Sequence, residues 1–214
     1  MMPTEGLVQK VSVPEGRSGD WSVERFDISQ DEASQFNLRA AFQFGAGRGG
    51  PLRRVTADTY TRLMHNRTMV MSDTPADGQD HLVPVLKARV LGGHVLLHGL
   101  GLGMVLNAIC NLGTCSHITV VEIAPEVIDL VGKHCLDKWG AGLVTILQDD
   151  ALTWQPPKDA KYSVVWHDIW SAISDDNLRS MRRLHRRFGN RCIWQGSWAR
   201  DILENYIRLY GPSF

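Results

Sequence analysis

The chain has 214 residues, of which 43% are apolar, and its 23 basic and 23 acidic side chains give a formal net charge of zero. This length suits one domain with a small extension, or at most two small domains. No apolar run approaches the ~18 residues that cross a membrane, and the first residues lack the pattern of a signal peptide. Balanced charge gives no attraction to nucleic acid or a membrane surface.

Cysteine and histidine spacing predicts reduced thiols and no metal centre. The four cysteines form no C-x-x-C pair, and the eight histidines lack H-E-x-x-H spacing. Unpaired cysteines are typical of the cytosol, so we expect a cytoplasmic protein. The spacing of the cysteines and histidines does not match known zinc sites.

The first 90 residues are predicted to form an extension in front of a larger domain. Two loosely alternating stretches, Leu7–Val13 and Trp21–Ile28, predict a β-hairpin. The glycine-rich stretch Phe44–Pro51 predicts a connecting loop, with a lid or phosphate cradle as the alternative. The other expected elements here are a short helix at Asp31–Phe42, a strand at Thr68–Ser72 and a helix at Asp80–Val90.

From Val95 onward, strand patterns alternate with helix patterns. This order predicts an α/β domain at residues 91–214, with a mostly parallel, doubly wound, Rossmann-like sheet of as few as five strands. The expected strands begin at Val95 or span His117–Glu122, Leu143–Leu147, Tyr162–Trp166 and Arg191–Trp194. The expected helices are Met104–Leu112, one that starts at Pro125, Asp175–Phe188, and one capped by Ser197 that ends near Gly211.

Glycines and acids follow the carboxyl ends of these strands. Val95–Gly103 reads V-L-L-H-G-L-G-L-G, which predicts a buried strand, a tight turn and the start of a helix. The acids that end or follow the next three strands are Glu122, Asp149, Asp150 and Asp168. Ligands of parallel sheets bind at the carboxyl ends of the strands, so we predict one ligand site at this edge.

The glycine spacing bears on the type of ligand. G-x-G-x-G places Met104 where a dinucleotide fingerprint has glycine or alanine, which disfavours a nicotinamide or flavin cofactor. A carboxylate at Glu122 suits the two hydroxyls of a ribose, and a carboxylate after the third strand can accept a hydrogen bond from an adenine amino group.

Four successive motifs resemble those of class I S-adenosylmethionine-dependent methyltransferases, above all their spermidine-synthase-like branch. These motifs are H-G-L-G-L-G-M, V-V-E-I-A-P-E-V-I, Q-D-D-A-L and Y-S-V-V-W-H-D-I-W, and the resemblance covers roughly residues 69–198. It implies that S-adenosylmethionine is the cofactor and that the glycine turn packs against its methionine part. The residues of that turn are Gly99, Leu100, Gly101 and Gly103.

The same resemblance implies roles for the strand-end residues. Glu122 would bind the ribose hydroxyls, with Ile123 beside the adenine. Asp150 and Ala151 would meet the adenine amino group, and Asp168 would face the sulfonium and the acceptor. The segment M-V-M-S-D-T-P-A-D-G-Q-D-H resembles one that helps close the active site in that branch, which draws attention to Gln79, Asp80 and His81.

The chain departs from the aminopropyltransferase pattern after the fourth strand. Where those enzymes have D-S-S-D-P, this chain has D-I-W-S-A, so Asp168 matches the first aspartate and Ser171 replaces the second. The resemblance also implies two further strands after the fifth. Either the sheet is short, or the N-terminal strands or a partner subunit, as in a homodimer, complete the protein.

Two candidates for the catalytic base are adjacent in sequence. Asp168 is the first candidate for taking a proton from an amine or hydroxyl acceptor, and His167 is the second. Successive residues of a strand point to opposite faces, so only one of them is expected to face the site. The tryptophans at 166, 170 and 194 would form an aromatic acceptor pocket or part of the core.

An arginine cluster on the Asp175–Phe188 helix has two interpretations. Its members are Arg179, Arg182, Arg183, Arg186 and Arg187. We favour a solvated helix surface, because cations suit a helix C-terminus and the total charge is balanced. Binding of nucleic acid or anionic lipid is the alternative.

The sequence therefore predicts an S-adenosylmethionine-dependent methyltransferase acting on a small-molecule or protein acceptor. A spermidine-synthase-like aminopropyltransferase is an alternative that Ser171 disfavours. A catalytically silent cofactor-binding or interaction module is a further alternative, and a nicotinamide-dependent oxidoreductase ranks last.

Overall fold

Two β-sheets organise the chain in the computed structural model, which describes residues 6–44 and 54–211. The first sheet is antiparallel, with the strand order β1-β2-β3-β4. Its strands are β1 (Gly16–Ser18), β2 (Trp21–Ile28), β3 (Asp58–His65) and β4 (Thr68–Ser72), and helix α1 (Gln30–Phe44) follows β2. The predicted connecting loop at 44–51 lies outside the described residues, apart from the helical position 44.

The hairpin prediction was wrong in one of its two strands. The strand that pairs with β2 in the hairpin is Gly16–Ser18, not Leu7–Val13. The alternating pattern of the earlier stretch instead reflects burial of Val11 and Val13 in the core. The backbone N–H of Val11 donates to the Asp73 carboxylate at 3.0 Å. In a β-strand this N–H would instead donate to a backbone carbonyl of the neighbouring strand.

Strand β3 was missed by the sequence prediction, although it pairs with β2 along its whole length. Its buried residues come as two adjacent pairs, Tyr60 with Thr61 and Leu63 with Met64. The register against β4 shifts between Leu63 and Met64. This irregularity interrupts the strict alternation by which a half-buried strand is recognised.

The second sheet is entirely parallel and has the strand order β7-β6-β5-β8-β9. The chain enters at the middle, runs outward to one edge, then crosses back and runs to the other edge. This order confirms the predicted α/β, doubly wound, Rossmann-like fold with five core strands. The strands are β5 (Gly93–His98), β6 (Cys115–Glu122), β7 (Val144–Gln148), β8 (Tyr162–His167) and β9 (Cys192–Ser197).

Most predicted helices are present, and one contains a π-helical turn. In α7, the predicted inward-facing residues Leu178, Met181, Leu184 and Phe188 are all buried. The helices are α2 (Pro75–Asp80), α3 (Leu82–Leu91), α4 (Met104–Leu112), α5 (Pro125–Val127), α6 (Lys133–Trp139), α7 (Asn177–Phe188) and α8 (Arg200–Tyr210), with the π turn at Ile128–Gly132.

Two predictions about helix ends were wrong. The helix expected at Asp80–Val90 begins at Leu82. His81 ends α2, because its N–H donates to the carbonyl of Gly78, three residues earlier, at 3.2 Å. Pro84 lacks an N–H and is tolerated only in a first helical turn, which favours a new start at Leu82. Ser197 ends β9 instead of capping α8, and its hydroxyl contacts the Nε2 atom of His185 at 2.8 Å.

The two sheets share one apolar core. Val13, Val23 and Leu63 from the N-terminal part pack in the same cluster as Val95 and Val120 of the parallel sheet. The opposite face of the parallel sheet is covered separately by α7. Within the described ranges, no helix combines the length and apolar content needed to cross a membrane.

Candidate active site

A cavity of about 420 Å³ opens at the carboxyl edge of the parallel sheet, where β5 and β8 mark the switch in strand order. This is where ligands bind in sheets of this kind. All the residues predicted to contact the cofactor line the cavity, except Gly103. Those that do are Gly99, Leu100, Gly101, Glu122, Ile123, Asp150, Ala151 and Asp168.

The turn after β5 requires glycine at two positions for steric reasons. Gly99 and Gly101 have φ values of 91° and 52°, a region that other residues rarely adopt. A Cβ atom would collide with the Asp168 carbonyl at Gly99 and with the Met71 sulfur at Gly101. The glycine at 103 does not line the cavity; it ends the turn in a left-handed conformation and leaves room for α6 side chains, so its role is structural.

Glu122 ties together the turns that follow β5 and β6. Its side chain is buried, and its two oxygens accept hydrogen bonds from the backbone N–H groups of Leu100 at 2.7 Å and Ala124 at 2.9 Å. A carboxylate oxygen can accept more than one hydrogen bond, so both oxygens can also accept from a ligand hydroxyl. Sequence reasoning had assigned this residue a ligand role only.

Most of the described backbone donors of the glycine turn already have partners within the protein. Gly99 donates to the Val121 carbonyl at 2.8 Å, and Gly103 donates to the Leu100 carbonyl at 2.8 Å. The N–H of Leu102 points to the Met71 sulfur at 3.2 Å. A turn with its N–H groups engaged in this way is a poor cradle for a diphosphate, which binds through several free backbone donors.

Asp150 begins a tight turn that Arg187 anchors from α7. One Asp150 carboxylate oxygen accepts from the Leu152 N–H at 2.8 Å. The Arg187 guanidinium donates to the carbonyls of Ala151 and Trp154 at 3.0 Å and of Leu152 at 2.5 Å. One member of the arginine cluster therefore has a structural role, whereas the other four arginines on this helix are exposed.

Asp168 and His81 meet at the inner end of the cavity. The Nδ1 atom of His81 lies 3.5 Å from a carboxylate oxygen of Asp168. Burial raises the pKa of Asp168, and the carboxylates of Asp80 and Asp77 raise it further, whereas the His81 imidazole and the indole N–H of Trp166 lower it. A carboxylate with a raised pKa is a stronger base, which suits a proton acceptor.

His167, the second candidate base, lies on the opposite face of β8 and does not line the cavity. It is fully buried, and its Nδ1 atom lies 2.8 Å from the Nδ1 atom of His98. Burial is the main reason that its pKa lies well below the ordinary value. This position does not fit contact with an acceptor, so the interpretation of His167 as a catalytic base is withdrawn.

Aromatic side chains form part of the cavity wall, though not the set predicted. Trp166 and Trp170 line it, whereas Trp194 stacks behind the first of these with ring centroids 6.3 Å apart. Trp21 and Trp198 also line the cavity, and sequence reasoning had not singled them out.

The N-terminal part supplies a second wall. Asp80 and His81 line the cavity, whereas Gln79, the third residue noted in that segment, does not. Leu63 and Met71, from β3 and β4, join them. The acidic residues and the histidine of the segment 69–81 were the available signal, but the local pattern alone does not reveal which face of the sheet they cover.

The cavity lining that the structure describes has acidic side chains but no lysine or arginine. Its acidic members are Asp77, Asp80, Glu122, Asp149, Asp150 and Asp168. In the described ranges 6–44 and 54–211, no group of three or more His, Cys, Asp or Glu side chains has the arrangement of a metal site.

No protein-family model matches the chain, and no curated protein matches its sequence. Several solved structures are similar to it. The CcbJ methyltransferase from Streptomyces caelestis is 20% identical over 48% of this chain and 42% of that chain, with a TM-score of 0.39. A dimethyladenosine transferase from Plasmodium falciparum is 20% identical over 48% of this chain and 35% of that chain, with a TM-score of 0.36.

A third structure, from Pyrococcus horikoshii, is described as that of a candidate RNA methyltransferase. It is 12% identical over 63% of this chain and 64% of that chain, with a TM-score of 0.46. In all three cases the aligned part is less than two thirds of the other protein. The strand order of the parallel sheet by itself identifies the fold of this chain.

Proposed function

We propose that the chain is an S-adenosylmethionine-dependent methyltransferase. The observation that carries the proposal is a cavity at the switch point of the sheet whose described lining contains six acids and no lysine or arginine. Such a site favours a ligand with positive charge, and a sulfonium cofactor has one. A diphosphate would face carboxylates, each opposing it by roughly 1–4 kcal/mol at contact distance.

The residues present fit this cofactor. Gly99 and Gly101 line the cavity, so the methionine part of the cofactor could lie against the turn. The spare lone pairs of Glu122 suit the ribose hydroxyls, and the Asp150 carboxylate suits the adenine amino group. Ile123 and Ala151 line the cavity as the apolar neighbours of the base.

Positioning is the main contribution of the protein to the reaction. When bound, the cofactor supplies a sulfonium methyl group, which is transferred as its bond to sulfur breaks and the electron pair remains on sulfur. Asp168 holds the acceptor end of the cavity and takes the acceptor's proton. Fixing two reactants in this way can lower the barrier by several kcal/mol.

Calorimetry tests the proposal directly. We expect S-adenosylmethionine and its demethylated product to bind, and NAD to bind at least about tenfold more weakly because of its diphosphate. Failure of S-adenosylmethionine to bind, or tighter binding of NAD, would contradict the proposal. The matched variants Glu122→Gln and Glu126→Gln separate loss of the site from a general loss of acidic charge, since only Glu122 lines the cavity.

One observation favours an aminopropyltransferase as the second candidate. No described lysine or arginine lines the cavity to pair with the carboxylate of S-adenosylmethionine, and the decarboxylated cofactor lacks that group. Tighter binding of the decarboxylated form in the same calorimetric series would favour this candidate.

In either case, residues 91–214 would hold the cofactor and residues 1–90 would cover the acceptor side. A small-molecule or protein acceptor, a homodimer and a cytoplasmic location stay predictions.

A further inference from the structure

Three polar groups converge at the inner end of the cavity. The indole N–H of Trp166 lies close enough to the Asp168 carboxylate to lower its pKa. Even so, neither this buried N–H nor the buried Nδ1 atom of His81 makes a hydrogen bond of normal geometry within the described residues. Trp166 and His81 are each only 5% exposed. The third group is the Asp168 carboxylate, which lies 3.5 Å from the imidazole.

The fold explains why these groups face the same space. Trp166 and Asp168 are two residues apart at the end of β8, so their side chains project on the same side. His81 reaches them because α2 ends there and α3 starts anew. All three residues line the cavity. An unsatisfied buried donor costs about 1–3 kcal/mol, so this arrangement indicates a bound polar group.

The hydrogen-bonding character of the three groups defines that partner. The indole nitrogen can only donate, and an ionised carboxylate can only accept. The Nδ1 atom of the imidazole faces that carboxylate, so the tautomer that fits carries its proton on Nδ1 and is a donor there. The space that these three groups face, called the gap below, is therefore bounded by two donors and one acceptor.

We propose that this gap binds the hydroxyl group of the methyl acceptor, so that the enzyme transfers the methyl group to oxygen. A hydroxyl has one proton to donate to Asp168 and two lone pairs to accept from Trp166 and His81. An ammonium group has no lone pair, and a neutral amine has one, so each leaves a buried donor without a partner. This inference rests on the proposed methyltransferase function.

The transfer step needs no reactant other than the acceptor, the cofactor and the Asp168 carboxylate. The O–H bond breaks toward Asp168, and the electron pair left on oxygen forms the new bond to the methyl carbon as the carbon–sulfur bond breaks. The carboxylate thereby becomes a carboxylic acid, and the sulfonium becomes a neutral thioether. His81 and Trp166 are positioning residues that orient the oxygen.

The part of the cavity wall beside these three groups indicates what kind of acceptor molecule carries the hydroxyl. Trp170 and Trp198 line the same cavity, and flat apolar groups pack well against indole rings. We therefore expect a phenol-type acceptor to be preferred over a sugar-type one.

Three compounds of the same shape test the inference: para-cresol, para-toluidine and para-xylene, which differ only in a hydroxyl, amino or methyl group. Binding of the demethylated cofactor is established first by calorimetry, and its failure would contradict the proposed function. Each compound is then titrated into the protein saturated with that product. We expect para-cresol to bind about tenfold more tightly than the other two.

Trp166→Phe keeps an aromatic ring but removes the indole N–H. It is expected to weaken para-cresol binding about tenfold and to leave para-xylene binding unchanged. Trp139→Phe is the control, because this tryptophan lies outside the cavity lining and donates to Asn107. Equal binding of para-cresol and para-xylene, tighter binding of para-toluidine, or an unchanged Trp166→Phe variant would overturn the inference. Transfer of a tritiated methyl group to para-cresol would add direct support.

Discussion

At the scale of single residues, Glu122 joins the backbone of two turns to the candidate cofactor site. Its oxygens accept from the N–H groups of Leu100 and Ala124, so the side chain that would bind a ribose also fixes the glycine turn. The sequence placed this acid at the end of its strand. The double role follows only from the way two strand ends lie side by side.

Glu122→Gln is expected to lose both functions. A glutamine amide presents an NH₂ group to one of the two backbone donors, which leaves a buried donor unsatisfied. We expect the free energy of unfolding to fall by about 1–3 kcal/mol and cofactor binding to weaken. Urea unfolding and calorimetry measure the two effects. An unchanged variant would show that the carboxylate is not needed at either place.

A buried pair of histidines connects β5 and β8 behind the cavity. The Nδ1 atoms of His98 and His167 lie 2.8 Å apart, and the Nε2 atom of the latter lies 3.4 Å from the Gln195 side-chain oxygen. That oxygen can only accept, so His167 carries its proton on Nε2 and His98 donates from Nδ1. Burial lowers the pKa of His98 to about 3 and keeps His167 neutral as well.

This pair predicts loss of stability in acid. In the folded state both pKa values lie below the ordinary value of 6.5, so the unfolded chain binds more protons as the pH falls. The stabilisation is therefore complete above pH 6.5 and decreases below it, by about 1.4 kcal/mol per pH unit for each histidine. Urea unfolding at a series of pH values measures the slope.

His98→Phe isolates the contribution of one imidazole. The ring packs against Phe188 and Trp154, so phenylalanine suits the site, and the pH slope should decrease by about one proton. The exposed substitution His65→Gln serves as the control. A slope identical to that of the wild type in the His98 variant would contradict the assignment of a neutral buried pair.

At the scale of elements, α7 serves the site through one of its arginines. Local pattern gave all five arginines of this helix the same interpretation, because each is a cation on a helix with one apolar face. Packing distinguishes Arg187, which reaches across to the loop that carries Asp150. The other members face solvent, as the favoured interpretation predicted.

Arg187→Lys is expected to loosen the Asp150 loop. A lysine ammonium is a point charge and cannot reproduce the planar fork that reaches three carbonyls. We expect unfolding to become easier by roughly 1.5–3 kcal/mol and S-adenosylmethionine to bind more weakly. Arg186→Lys, at an exposed position of the same helix, should change neither quantity. Equal behaviour of the two variants would show that the anchor is dispensable.

At the scale of the whole molecule, one core joins the two sheets. Asp73 reinforces this connection, because its carboxylate accepts from the N–H groups of Thr61 at 2.6 Å and Val11 at 3.0 Å. The boundary predicted at residue 90 separates two sheets, yet the apolar cluster extends across it.

We therefore expect the chain to unfold in one transition. Far-ultraviolet circular dichroism and tryptophan fluorescence should give coincident curves, because apolar packing couples the sheets. Asp73→Asn should shift the whole transition by about 1–3 kcal/mol, since the new amide faces a backbone donor. The exposed variant Asp20→Asn is the control. Two separated transitions would contradict a shared core.

The sequence alone determined the alternation of strands and helices, the parallel sheet and the residues that stand at its carboxyl edge. The spacing of apolar residues and the positions of glycines are local properties of the sequence, so they can be interpreted without knowledge of the packing. The tertiary structure decided which side chains face the cavity. It placed His167 on the opposite face of its strand and turned one arginine of a helix surface into an anchor. It also showed that His81, which the resemblance had pointed to, lies beside Asp168. These outcomes depend on which face each neighbouring element covers, and that information lies in contacts between distant residues.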